Sequence, residues 1–323
     1  MGLINGNMML GSTILRRSSK RVSITYELKD CVSSNTVDTV AINSPYQTTI
    51  KSNTQLAYCG VQVLMGNKDI SADVYDIYSG TINIDGVKSD IIIRAETLTT
   101  FEEASWYAVK CVAQSNIMNN EEALYNLSWR LGDTRPLIIG DYTYTVRICD
   151  LTPNRYQYVD DTTKYSNMVL ECIELAPDSK PKHNTDMGDY EYCSIRDYYK
   201  WLETYAEQEL QNNLSLVKLP TFWFNQQHGF SSNKLFMPGG AALDGLEYEQ
   251  ETIYQLYAND KSVLRKHKIS DGTIITWCTR SGGYYSYNNR HMSVWVDTNG
   301  VLTAYNSTNT VNTATGVPIF WAW

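Results

Sequence analysis

Between Val22 and Leu28 every second residue is apolar, with Ser23, Thr25 and Glu27 interleaved. Side chains on a strand point alternately to its two faces, so this spacing fits a strand with one buried face. It does not fit a helix, whose apolar positions recur every three or four residues. The pattern repeats downstream. Val61, Val63 and Met65 alternate ahead of the turn cluster Gly66-Asn67-Lys68-Asp69, Thr81 to Ile84 runs into the turn pair Asp85-Gly86, and Asp90 to Arg94 closes the block. Short strands broken by turns at this spacing predict a small β-sandwich over residues 21–96.

The periodicity then changes. Thr100-Phe101-Glu102-Glu103 has the form of a capping box, and Phe101, Ala104, Ala108, Cys111 and Val112 follow at helical spacing, which predicts a helix starting there. Residues 97–134 read as a helical connection. Strand signals return at Leu137-Ile138-Ile139 and from Tyr142 to Ile148, and a Pro/Lys/Asp-rich loop covers 177–189. Ser194-Ile195-Arg196-Asp197 makes a second capping box. The apolar line Ile195, Tyr198, Leu202, Tyr205, Ala206, Leu210 and Leu214 then predicts one helix of about five turns. From Lys234 onward the reading is β again, at Leu235-Phe236-Met237, Ile274 to Trp277, Ser293 to Val296, Val301-Leu302-Thr303 and Ile319-Phe320-Trp321, with Asp297-Thr298-Asn299-Gly300 as a hairpin turn. Helices followed by strands predict an α+β domain with an antiparallel sheet over 135–323, and a β-rich α+β chain as a whole.

Composition narrows the function classes. With 43% hydrophobic and 19% charged residues over 323 positions, the chain is globular and long enough for two cores. Its 24 Tyr and 8 Trp against 6 Phe favour rings with a polar tip, the kind used where a surface meets a partner. A net charge of −8 argues against nucleic acid, which needs a concentrated Lys/Arg surface. The basic cluster Arg16-Arg17-Ser18-Ser19-Lys20-Arg21 is short and reads as part of a docking arm over 1–20. Seven scattered cysteines without a C-x-x-C read as buried thiols, and Met1 to Met9 lacks the pattern of a signal peptide. Synthesis in a reducing cytosol is therefore expected, without membrane insertion, since no stretch of eighteen apolar residues occurs.

Two resemblances add to this reading. The stretch "CVSSNTVDTVAINSPYQTTIKSNTQLAYCGVQVLMGNKDISADVYDIYSGTINIDGVKSDIIIRAE" resembles an Ig-like repeat common in bacteriophage tail and adhesin proteins of gut bacteria. It shows an asparagine-rich turn, then V-x-V-x-M-G-x-x-D-I, then I-x-x-V-x-x-D-I-x-I. Such repeats are spacers. Between Phe101 and Trp323 the order "RLGDTRPLIIGDYTYTVRICDL", "SIRDYYKWLE", "NKLFMPGGAALDGLEYE", "ITWCTRSGG", "VWVDTNGVL" and "GVPIFWAW" resembles a phage and bacterial domain with the C-type-lectin-like fold. That family reads W-W-L-R-S-P and G-V-R-P where this chain has Trp277-Cys278-Thr279-Arg280-Ser281 and Gly316-Val317-Pro318. The resemblance implies an N-terminal Ig-like β-sandwich followed by a lectin-like receptor-binding domain, in an oligomeric tail protein, with a trimer expected.

Local motifs for catalysis or metal binding are not found in the sequence. His183, His228, His267 and His291 are far apart, and there is no G-x-S-x-G, P-loop or G-x-G-x-x-G. Cys278 with His267 or His291 could form a nucleophile-base pair, but a buried thiol beside Trp277 accounts for it as well. The lectin-like fold also hosts formylglycine-generating enzymes, which use a cysteine pair where this chain has Cys278 alone. Glu102-Glu103, Asp160-Asp161 and Glu247/Glu249/Glu251 read as solvated acids. The sugar-binding E-P-N and Q-P-D calcium motifs are missing, and Asp297-x-Asn299-Gly300 reads as a turn.

Recognition is the remaining class. "SGGYYSYNNRH", residues 281–291, has the composition of an antibody contact loop and reads as the loop leaving the Ile274 to Trp277 strand. The expected receptor-contact residues are Tyr284, Tyr285, Tyr287, Asn288, Asn289, Arg290 and His291, joined by Tyr305, Asn306 and Asn309 from the returning strand. The expectation is a non-enzymatic phage tail-fibre or tail-tip adhesin, without metal or cofactor, that binds a host cell-surface glycan or protein. Its N-terminal region would dock to other tail proteins of the virion, after synthesis in the host bacterial cytoplasm. A structural baseplate or capsid-decoration protein and an enzyme acting on cell-surface polymers stay open as alternatives.

Overall fold

The computed structural model describes residues 20–54, 57–119, 126–181, 195–223, 226–245, 251–285, 290–306 and 314–323. The docking arm expected over 1–20 falls outside these residues but for Lys20. The first part of the chain folds into nine strands: β1 (Arg21–Lys29), β2 (Cys31–Ser33), β3 (Thr39–Ala41), β4 (Tyr46–Ser52), β5 (Cys59–Met65), β6 (Lys68–Asp69), β7 (Tyr75–Asp76), β8 (Thr81–Ile84) and β9 (Ile91–Thr97). They form a five-stranded sheet, β3-β1-β9-β5-β6, and a four-stranded sheet, β2-β4-β8-β7.

The two sheets share one core. Val22, Ile24, Val61, Val63, Ile91 and Ile93 come from the first and Ile50, Ile82 and Ile84 from the second. Each of these side chains contributes about 1.5–3 kcal/mol by leaving water. The expected alternation is present at Val22 and Ile24, whereas Leu28 is exposed at the far end of β1. β1 and β9 run parallel, with Ile24 opposite Ile91, while β9 and β5 run antiparallel. Asp85-Gly86 does not join hydrogen-bonded neighbours; it carries the chain from β8 in one sheet to β9 in the other.

The helix expected at Thr100 starts later. Its first helical residue is Trp106, in α2 (Trp106–Ala113); the single turn Ser71–Val74 is α1. Residues 100–104 form a turn, and the Glu96 carboxylate accepts from the Ser105 N–H (2.6 Å) and hydroxyl (2.8 Å) at the true N-cap. A carboxylate from the preceding strand thus supplies the cap that Glu103 was expected to give. Within 97–134, Trp106, Val109, Val112, Ile117 and Trp129 are buried in the second core. The segment is therefore a layer of that core more than a connection. α2 also lies against β5, where Gly60 faces Ala108 so closely that a Cβ would come within 2.8 Å of the Ala108 Cα.

The second body is built on the antiparallel sheet β10 (Thr134–Ile139), β11 (Tyr142–Asp150), β12 (Val169–Cys172) and β20 (Phe320–Ala322). Around it lie the pair β13 (Lys180–Pro181) and β19 (Ala314–Thr315), the hairpin β14 (Val217–Trp223) and β15 (Gln226–Asn233), and the sheet β16 (Trp277–Tyr285), β17 (Arg290–Val296) and β18 (Leu302–Asn306). The core is rich in indoles. Trp106 meets Trp321 edge-on at 5.8 Å, and Trp129, Trp277 and Trp323 donate their ring N–H groups to the carbonyls of Thr99, Leu264 and Asn213. Burial of Trp129, Trp277 and Trp323 is inexpensive because each polar tip keeps a partner, whereas the buried Trp321 N–H has none among the described residues.

The single five-turn helix expected from residue 195 is two: α3 (Ile195–Tyr205) and α4 (Gln208–Asn213). Gly140 N–H donates to the Tyr205 carbonyl and Glu207 N–H to the Ile138 carbonyl, so the β10–β11 turn takes the backbone groups that would continue the helix. Ser194 lies outside the described residues. Tyr205, expected on the buried face, is half exposed, while Ile195, Leu202, Leu210 and Leu214 are buried as expected. Leu235 to Met237 makes only one bridge, Phe236 to Phe320. Two short helices, α5 (Gly240–Asp244) and α6 (Gln255–Asn259), and the 3-10 turns Asn116–Asn119 and Lys261–Leu264 complete the described elements of this body. No helix among the described residues is long and apolar enough to cross a membrane.

Candidate functional site

The run expected as a recognition loop is half strand. Ile274 makes only an isolated bridge to His267; the strand begins at Trp277 and continues through Tyr285. Its pairing with β17 places Gly282 opposite Ser293, Gly283 opposite Met292, Tyr284 opposite His291 and Tyr285 opposite Arg290. A loop assignment failed here because the backbone of 282–285 has a full ladder partner in 290–293, which composition does not show. Tyr287, Asn288, Asn289 and Asn309 lie outside the described residues.

Register also sorts the expected contact residues. β18 pairs with β17 so that Tyr305 is opposite Ser293 and Asn306 opposite Met292. Directly paired residues share a face and successive residues alternate. Positions 284, 291 and 305 therefore belong to one face of the sheet, and 285, 290 and 306 to the other.

The base of this sheet is fixed by burial. Trp277, Cys278, Thr279 and Ser281 are fully buried, and the register slips between Cys278 and Gly282. Such a bulge re-aims a strand. Thr279 Oγ1 donates to the Val294 carbonyl at 2.6 Å, and Ser281 Oγ accepts from the Gly240 N–H at 2.5 Å. Arg280 is held by the carbonyls of Pro220 (2.9 Å) and Met237 (2.8 Å) and by Glu251 Oε1 (2.5 Å). Tyr156 donates to the same Glu251 oxygen and meets the Tyr254 hydroxyl at 2.6 Å; burial, with Glu251 adjacent, pushes the Tyr156 hydroxyl up to about 12. Glu251 is thus a buried ion-pair partner, contrary to the solvated reading. The sequence separation of its partners hides this role. Glu247 and Glu249 lie outside the described residues.

At the other end of β17, the turn forms as expected. Asp297 Oδ1 accepts from Asn299 N–H (2.8 Å) and Val301 N–H (2.9 Å), and Gly300 takes the left-handed φ of 83°. The Val301 and Asn299 donors hold the Asp297 carboxyl below its ordinary range.

A second charged cluster was not anticipated. Glu171, fully buried, accepts from Lys266 Nζ (2.5 Å), Tyr257 OH (2.5 Å) and Arg147 Nε (2.7 Å). Burial pushes the Glu171 carboxyl up, but Lys266 and Arg147 outweigh it and hold the group below its ordinary value. A signal was present: Arg147 stands between Val146 and Ile148, and Glu171 between Leu170 and Cys172, so each is a charge within an apolar strand.

The groups weighed for catalysis are separated. The Cys278 thiol points to Met237 Sδ at 3.1 Å and pairs in register with Trp295, while His291 sits opposite Tyr284 and His267 bridges Ile274. Among the described residues no three His, Cys, Asp or Glu side chains group as metal ligands. The six described cysteines are buried, as expected, and none is disulfide-bonded. Comparison with protein-family models, with curated proteins and with solved structures finds no match for this chain.

Proposed function

We propose that this chain is a tail-fibre or tail-tip adhesin of a bacteriophage or phage-like particle, and that the free end of the β16–β17 hairpin contacts a receptor on the host surface. The observation that carries the reading is the continuation of β16 past its buried base into Gly282-Gly283-Tyr284-Tyr285. A Tyr-rich strand end is thereby fixed to the core through Trp277 and Arg280. Recognition elements of this kind gain affinity from rigid rings and adaptable polar neighbours. The two-sheet body is read as the Ig-like spacer and the second body as the lectin-like domain, in keeping with the sequence resemblance.

Each copy would bind weakly through a small contact area, and an oligomer, a trimer in this reading, would supply avidity. The test is adsorption of particles carrying Tyr284→Ala, Tyr285→Ala and Tyr287→Ala together. Reduced adsorption with normal particle yield supports the adhesin. Unchanged adsorption sinks it, and failed assembly favours a structural baseplate or capsid-decoration role.

A further inference from the structure

We propose that Cys31 and Cys59 form a covalent modification site: a thiol pair that a small-molecule disulfide oxidant closes into a bond between the two sheets of the sandwich. Cys31 opens β2 in the four-stranded sheet and Cys59 opens β5 in the five-stranded sheet. Their Sγ atoms touch at 3.4 Å in the core. A disulfide needs about 2.05 Å, so the sulfurs must approach by only about 1.4 Å, within the reach of side-chain rotation. Other described thiols have different neighbours: Cys149 donates to the Val169 carbonyl at 3.3 Å and Cys278 to Met237 Sδ.

Access and ionisation fit the same assignment. Cys59 lines a groove of about 690 Å³ between the sheets' ends, together with Ser52, Tyr58, Tyr75 and Tyr78. The contact between the two thiols holds Cys31 below its ordinary value and, with burial, pushes Cys59 well above its own, so Cys31 is the one that ionises; burial pushes the nearby Cys111 thiol up to about 12. Thiolates, not thiols, are the nucleophiles in exchange.

The reaction balances in two steps. Cys31, the ionised member of the pair and at 7% the more exposed of the two against 3% for Cys59, attacks the S–S bond of the oxidant, forming a mixed disulfide and expelling one thiolate. Cys59, losing its proton as it reacts, then attacks the Cys31 sulfur, forming the Cys31–Cys59 bond and expelling the second. The protein gives up two electrons and two protons, and the oxidant ends as two thiols. The chemistry is independent of the adhesin reading. In that reading the bond would close when the particle leaves the reducing cytosol.

The experiment uses the full chain, reduced and then incubated with oxidised glutathione. Thiol counting in denaturant and non-reducing peptide mapping are expected to show two thiols lost, a Cys31–Cys59 cross-linked peptide that dithiothreitol reverses, and a higher thermal midpoint. Cys111→Ser should retain all three results, and Cys31→Ser should lose them. Mapping of the unmutated chain decides the question even if Cys31→Ser misfolds. A full complement of thiols after oxidation, a bond from either cysteine to Cys111 or Cys193, or a glutathione adduct that persists on Cys31 or Cys59 would overturn the proposal.

Discussion

Arg280 Nη2 donates to Glu251 Oε1 at 2.5 Å, and both side chains are shut away from water. The pair joins the start of β16 to the segment before α6, with Tyr156 and Tyr254 closing the cluster. A buried pair of this kind holds geometry more than it adds net stability.

Arg280→Met should therefore cost about 3–5 kcal/mol, because it strands the Glu251 carboxylate. Arg280→Met with Glu251→Met should recover most of that loss. Urea unfolding measures both, and a single-variant cost below about 1 kcal/mol would show that the pair is not buried in solution.

Acid should destabilise the chain through Glu171. Its folded-state value is lowered by Lys266 and Arg147 against the opposing effect of burial. Its contribution is thus fully present above the ordinary carboxylate value, about 4.3, and is lost as the pH falls through the lowered one. Thermal midpoints across this window should fall less steeply for Glu171→Gln than for the unmutated chain, even though the variant starts less stable. Equal slopes would exclude this role.

If the β16–β18 sheet contacts a receptor, one face does so. Tyr284→Ala with Tyr305→Ala and Tyr285→Ala with Asn306→Ala test the two faces that the register defines. One double variant should lose about tenfold or more in binding to host-cell envelopes, while the other changes it by less than about threefold. Equal losses from both would argue that the strand end is not presented as a sheet.

Gly60→Ala should weaken the seat of α2 on β5. The new methyl would sit against Ala108, with the Cδ2 of Leu98 3.0 Å away. Overpacking of this kind costs about 1–3 kcal/mol. Gly60→Ala with Ala108→Gly should restore part of it, read by chemical denaturation, and an unaltered midpoint for the single variant would refute the contact.

Local chemistry made much of the fold readable. β11 covers the strand read from Tyr142 to Ile148, β17 contains the one read from Ser293 to Val296, and the turn Asp297 to Gly300 forms from its own residues. Long-range partners were not readable. Glu96 caps α2 from a strand, the β10–β11 turn splits the helix between Tyr205 and Gln208, and Glu251 finds Arg280 only in the folded chain. At the candidate site, the Tyr and Asn composition stood out in the sequence, but the ladder between 282–285 and 290–293 depends on pairing that composition cannot encode.

The parallel alignment of β1 and β9 has a mechanical meaning. The chain enters the sandwich along β1 and leaves it along β9 in the same direction, with six consecutive residues from Ile24 to Lys29 paired to Ile91 through Glu96. A pull between residue 20 and residue 98 therefore loads that ladder in shear, stretching its hydrogen bonds together instead of peeling them one at a time. The two ends of the body are also its two points of traction, so tension would align the sandwich along the line of force.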